Sequence, residues 1–133
     1  MGSLRVSLNI SSQDVLSTSV LISQVKTMTA DGGYITKAKL AATSAGVSAM
    51  TLYKANDKLV SAYIYVKNID PELENFVYMY NDANDDVVLK LGGGEFAFMP
   101  VMSDQDFKLY GTKQDQLVEF AVFGLDSSSV TLG

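Results

Sequence analysis

Between Tyr63 and Val101 the chain passes four times through a short β-prone run and three times through a turn. The runs are Tyr63-Ile64-Tyr65-Val66-Lys67, the end of a predicted strand Val60–Lys67, then Phe76-Val77-Tyr78-Met79-Tyr80, Val87-Val88-Leu89-Lys90-Leu91 and Glu95-Phe96-Ala97-Phe98-Met99-Pro100-Val101. Turn chemistry divides them. Pro71 restricts Asp70 and removes a ladder donor, which ends the first run. Asp82–Asp86 links the second to the third, and Gly92–Gly94 links the third to the fourth. Period 2 rules the rest of the chain as well. In Leu4–Ile10 the apolar residues Leu4, Val6, Leu8 and Ile10 alternate with Arg5, Ser7 and Asn9, the pattern of a strand with one wet face. Further strands are predicted at Val20–Thr29, Tyr34–Ala42, Val47–Tyr53, Phe107–Tyr110, Leu117–Phe123 and Val130–Leu132. No segment carries the period of a long amphipathic helix. A single helical turn near Ser11–Leu16, capped by Ser12, is the main competitor. Roughly ten short antiparallel strands at this spacing predict an all-β fold, a jelly-roll-like β-sandwich.

The 133 residues fit one domain over 1–133, with residues 1–12 as an arm or edge strand. A hydrophobic content of 47 % can fill a core for such a chain. The sequence contains no His and no Cys. That removes Ser–His and Cys–His nucleophile systems, every metal site built on imidazole or thiolate, and any disulfide framework. No apolar stretch approaches the length of a signal peptide or a membrane helix. The sequence argues for a building block or binding module rather than an enzyme. It implies no cofactor and no membrane partner.

Net charge is −5, from 10 basic and 15 acidic residues, which speaks against nucleic acid as a partner. The charge is unevenly spread. Residues 1–67 carry seven basic and three acidic groups, and residues 68–133 three basic and twelve acidic. Such polarity suits a ring in which the basic half of one copy meets the acidic half of the next. All six Phe lie after residue 75. Because large rings dominate core energetics, the second half is expected to hold the dense core. The Ser/Thr-rich first half is expected to pack partly on a neighbouring subunit.

Four motifs invite a chemical reading. Asp82, Asn84 and Asp86 open like a calcium loop, but Val87 stands where the loop needs Gly and Gly93 where it needs Glu. A plain hairpin turn is the stronger reading, with a loose calcium site as the alternative. Gly92-Gly93-Gly94-Glu95 lacks the following helix and Lys of a phosphate loop. Tyr63, Tyr65, Tyr78 and Tyr80 form two i, i+2 pairs, each sharing one strand face. They suit a packed sheet face or a platform for sugar or single-stranded nucleic acid. Asp70, Glu72, Glu74, Glu95 and Glu119 are the carboxylates from which a glycoside-hydrolase pair would have to come. They sit beside turns or on wet faces. The residues best placed for interaction are Leu4, Val6, Leu8 and Ile10, whose strand can extend a neighbour's sheet.

The runs Tyr63-Ile64-Tyr65-Val66-Lys67-Asn68-Ile69-Asp70 and Leu89-Lys90-Leu91-Gly92-Gly93-Gly94-Glu95-Phe96-Ala97-Phe98-Met99-Pro100, with Val118-Glu119-Phe120-Ala121-Val122-Phe123 beyond them, resemble small virion structural proteins of tailed bacteriophages. The likeness spans roughly residues 60–123. It implies a β-sandwich that assembles on the particle. The expected role is a capsid decoration, or cement, protein on the outer shell. The expected form is a homo-oligomer, a trimer by preference, bound to the major capsid protein or other virion proteins. A neck or tail component is the alternative within the same class. A monomeric β-sandwich that binds carbohydrate or another ligand is the alternative outside it.

Overall fold

The computed structural model describes residues 2–15, 17, 19–32, 35–42 and 49–126. Its described residues contain strands and turns and no helix. The ten strands are β1 (Gly2–Ser12), β2 (Val20–Gly32), β3 (Thr36–Leu40), β4 (Met50–Tyr53), β5 (Leu59–Asn68), β6 (Val77–Asn81), β7 (Asp86–Leu91), β8 (Phe96–Val101), β9 (Phe107–Gly111) and β10 (Gln116–Asp126). Nearly every predicted run is a strand within two or three residues of its expected limits. The expected strand at Val130–Leu132 lies outside the described residues. No helix forms at the start of Ser11–Leu16. Instead, Ser12 Oγ accepts the amides of Asp14 and Val15 in a bend.

The chain divides into two compact units, residues 1–31 and 32–133. The first is a two-stranded hairpin. β1 and β2 pair antiparallel from Gly2↔Ala30 to Ser12↔Val20, eleven positions with no register shift. The second unit holds β3 to β10 in two antiparallel sheets. Its strands pair first with last and so on inward: β3 with β10, β4 with β9, β5 with β8, β6 with β7. The long ribbon so formed is rolled, so that β10 also pairs with β5 and β9 with β6. One sheet runs β3-β10-β5-β8 and the other β4-β9-β6-β7. That is the order of a jelly roll.

The core lies between these sheets. Leu40, Ile64, Val66 and Val118 come from one sheet, and Leu52, Val77, Met79, Leu91 and Leu109 from the other. In β5 the alternation is clean, with Ala62, Ile64, Val66 and Asn68 buried and their neighbours half-buried. The second half, expected to hold the dense core, shares it with Leu40, Leu52, Tyr53, Ala62, Ile64 and Val66 of the first, and Phe supplies little of it. Phe107 is the one buried Phe among the described residues, and Phe96 is 67 % exposed. The reason is parity. Val66 and Val77 take the inward positions of their strands, so Tyr65, Phe76 and Tyr78 turn outward, while Phe120, on the same side of β10 as Val118, is partly buried against the core.

The turns between strands are ordered by their own side chains. Asn81 Oδ1 accepts the amide of Ala83, and Asn84 Oδ1 that of Asp86, while Asp85 takes a positive φ of 58°. Two loop clusters result. One joins residues 54–58, 82–85 and 102–106 through bonds such as Asp82 N–H to Asp106 O. The other joins residues 69–76, 92–95 and 112–115 through Gly93 N–H to Leu73 O and Thr112 N–H to Phe76 O. Both clusters are acidic, whereas Lys37, Lys39, Lys67, Lys90 and Lys108 stand on strands. An end-on contact between two jelly-roll units therefore gains no charge complementarity.

Candidate functional site

Period 2 places Leu4, Val6, Leu8 and Ile10 on one face of the hairpin, with Met28, Lys26, Gln24 and Ile22 opposite them in turn across the ribbon. Leu8, Ile10 and Ile22 are 47, 45 and 41 % exposed. Leu21 and Val25 fall on the other face and are more exposed still. A two-stranded ribbon is marginally stable in water unless its apolar face is covered. Here that face remains open to solvent, so it is the strongest interaction surface among the described residues. The four residues singled out in sequence are brought together. Ile22 and Met28 complete the face. They were missed because apolar residues on both faces of β2 blur its alternation.

The jelly roll carries aromatic side chains on both outer faces. Tyr78 and Tyr110 are cross-strand partners with rings stacked at 5.1 Å and an interplanar angle of 21°. Phe76 flanks them at a centroid distance of 6.2 Å from Tyr78, and Tyr80, which is buried, meets Tyr110 at 5.8 Å. Lys90 Nζ lies 4.1 Å from the centre of the Phe76 ring, within cation–π range. Burial raises the Tyr110 hydroxyl pKa, and the neighbouring Tyr78 and Tyr80 add to the rise. On the other sheet Tyr63 stacks on Phe98 at 5.8 Å, and Phe98 meets Phe123 at 6.3 Å. Tyr65 donates its hydroxyl to Glu119 Oε1 at 2.8 Å. Burial first, and that bond second, push the Tyr65 pKa up to about 12. The four tyrosines thus belong to two separate faces. Tyr63 and Tyr65 stand on one sheet, Tyr78 and Tyr80 on the other.

The carboxylates are engaged structurally. Asp70 is buried and anchors one loop cluster. Its Oδ1 accepts the Glu72 amide at 2.9 Å and Asn75 Nδ2 at 3.0 Å, and its Oδ2 lies 2.6 Å from Lys113 Nζ. The lysine contact, then those two bonds, lower its pKa to about 2. Asn68, wholly buried, donates to the carbonyls of Asn75 and Leu91 and accepts from Gln116 Nε2. Glu95 Oε1 accepts the amide of Gly92. Gly93 is required by close approach. A Cβ there would run into the carbonyl oxygens of Asp70 and Glu72. The glycine run is therefore a packing device of the 69–76 and 92–95 loops.

Asp82, Asn84 and Asp86 lie in and beside the β6–β7 turn, where Asp82 faces Lys108 at 3.5 Å and Asn84 holds the amide of Asp86. Among the described residues no group of three or more His, Cys, Asp or Glu side chains is placed to hold a metal ion. A shallow apolar cleft of about 200 Å³ opens between β7 and β8, lined by Val88, Met99, Val101, Met102 and Phe107. It contains no convergent polar groups of the kind that orient a small ligand. A scan of protein-family models and searches of curated proteins and of solved structures each return no match to the chain.

Proposed function

We propose that this protein is a virion structural component of a tailed bacteriophage, a capsid decoration protein that stabilises the outer shell through non-covalent, β-rich contacts. The observation that carries the reading is the hairpin. It presents a partly open face on which Leu4, Val6, Leu8, Ile10, Ile22 and Met28 surround Gln24 and Lys26, on a ribbon too thin to cover itself. Such a face serves an assembly partner better than a small ligand. The jelly roll is a scaffold used by capsid proteins and by lectins, so it supports the reading without selecting it. The phage-like runs form β5, β8 and β10 of one sheet, the end of β7 in the other, and the loops beside them, which is where the likeness lies. Many weak copies arrayed on a lattice add avidity.

Quantitative mass spectrometry of purified particles tests the proposal. A copy number comparable with that of the major capsid protein supports decoration. A number far below it moves the protein to the neck or tail. Absence from particles overturns the virion role. The Phe76-Tyr78-Tyr110 strip with Lys90 favours one second reading, a carbohydrate-binding module. On that reading a glycan changes the tyrosine fluorescence of a monomeric protein.

A further inference from the structure

The four outer strands of the jelly-roll unit and β1 of the hairpin differ in how they resist pairing. Natural sheets guard such edges with shortness, lysine, proline or bulges. β3 is five residues long and carries Lys37 and Lys39. β4 is four residues long, with a register shift between Thr51 and Tyr53. β7 has a register shift opposite Met79 and Tyr80, plus Asp86 and Lys90. β8 carries Pro100. β1 has none of these guards. It is eleven residues long, unbroken in register, free of Pro, Lys, Asp and Glu, and charged only at Arg5. Among the described residues it pairs with β2 alone.

We infer that the free edge of β1 is completed by β1 of a second copy, antiparallel, about a two-fold axis at Ser7. Symmetry supports the choice of occupant. In a two-fold antiparallel pair the numbers of facing residues must add to an even value. Even-numbered residues then face even-numbered ones, and the apolar residues of β1 are all even. Full overlap of Gly2–Ser12 sets the axis at Ser7. Leu4 then faces Ile10 of the second copy, and Val6 faces its Leu8. Arg5 faces Asn9, so the only charge on the strand avoids its own image. The result is a four-stranded ribbon whose two inner strands carry one continuous apolar stripe, with Gln24 and Lys26 of each β2 interrupting the apolar residues at its margins, closed by about ten main-chain hydrogen bonds. This is a pairwise contact, unlike the trimer that the phage resemblance implies.

The pairing rests on the hairpin being an association element. It is tested on the purified full-length chain, so its failure leaves the particle experiment standing. The chain has no cysteine, which makes single-cysteine variants clean reporters. Arg5, Ser7 and Asn9 are exposed, so each accepts the change without disturbing a core. With diamide as oxidant, Ser7→Cys is expected to form a covalent dimer, because facing Cα atoms lie within disulfide reach. Arg5→Cys alone and Asn9→Cys alone are expected to stay single, since each would sit about 14 Å from its own image. An equal mixture of those two is expected to cross-link. Native mass spectrometry of the unmodified chain should show a doubling of the 14.4 kDa mass. A single-chain or triple mass overturns the inference. So does Ser7→Cys cross-linking no better than Arg5→Cys alone.

Discussion

The jelly roll and the hairpin are built from the same alternating pattern and put it to opposite uses. In β5 the inward set Ala62, Ile64, Val66 is at most 1 % exposed. In β1 the corresponding set, Leu4, Val6, Leu8 and Ile10, is partly or largely open. The jelly-roll unit has two sheets whose apolar faces cover each other, and it guards its edges. The hairpin has one layer and an unguarded edge. Alternation alone therefore does not decide what a strand is for. The presence of a second layer does.

The sharpest way to break this comparison is a truncation in the jelly-roll core. Leu109→Ala, at a site with no exposure, should cost about 2–5 kcal/mol in denaturant unfolding. A cost near zero would mean that the two sheets do not form one core. Next in size is Gly93→Ala, which forces a methyl group against two backbone carbonyls and should cost about 1–3 kcal/mol by the same measurement. Unchanged stability there would remove the packing role of the glycine run.

A pH titration sharpens the comparison further. Asp70 has its pKa lowered from 3.8 to about 2 in the folded chain. The unfolded chain therefore takes up the proton first as pH falls. The stability contributed by Asp70 is fully present above the ordinary carboxylate value and is lost as pH falls from about 3.8 towards 2. Asp70→Asn should flatten that part of the acid limb of the stability curve. An identical limb in the variant would remove Asp70 from the account. The smallest effect belongs to the hairpin. Leu8→Ser should change the unfolding free energy of the jelly-roll unit by less than about 0.5 kcal/mol while weakening association, read by sedimentation. A large loss of jelly-roll stability would erase the distinction between the two regions.

Most strand limits were legible because period 2 and turn residues are local signals. Pro71 marks the end of β5, and Asp82–Asp86 marks the β6–β7 turn. The rolled pairing of β3 with β10 and β4 with β9 was not, since residues far apart in sequence carry no local mark of each other. The aromatic rings misled for a physical reason. Size favours burial, but parity decides the face. Val66 and Val77 hold the inward positions, so Tyr65, Phe76 and Tyr78 do not. The buried polar set of Asn68, Asp70 and Gln116 was hidden for another reason. Its partners, Asn75, Leu91 and Lys113, come from different loops. Leu4, Val6, Leu8 and Ile10 were read directly, because an amphipathic strand shows its face in four alternating residues.

Amide hydrogen exchange of the full-length chain at high and low protein concentration tests the division of labour most directly. The account predicts that β5 and β10 peptides stay protected at both concentrations, while amides within Gly2–Ser12 are protected at the high one and exchange on dilution. Equal exchange of Gly2–Ser12 at both concentrations, or loss of protection in β5 and β10 alongside it, would contradict it.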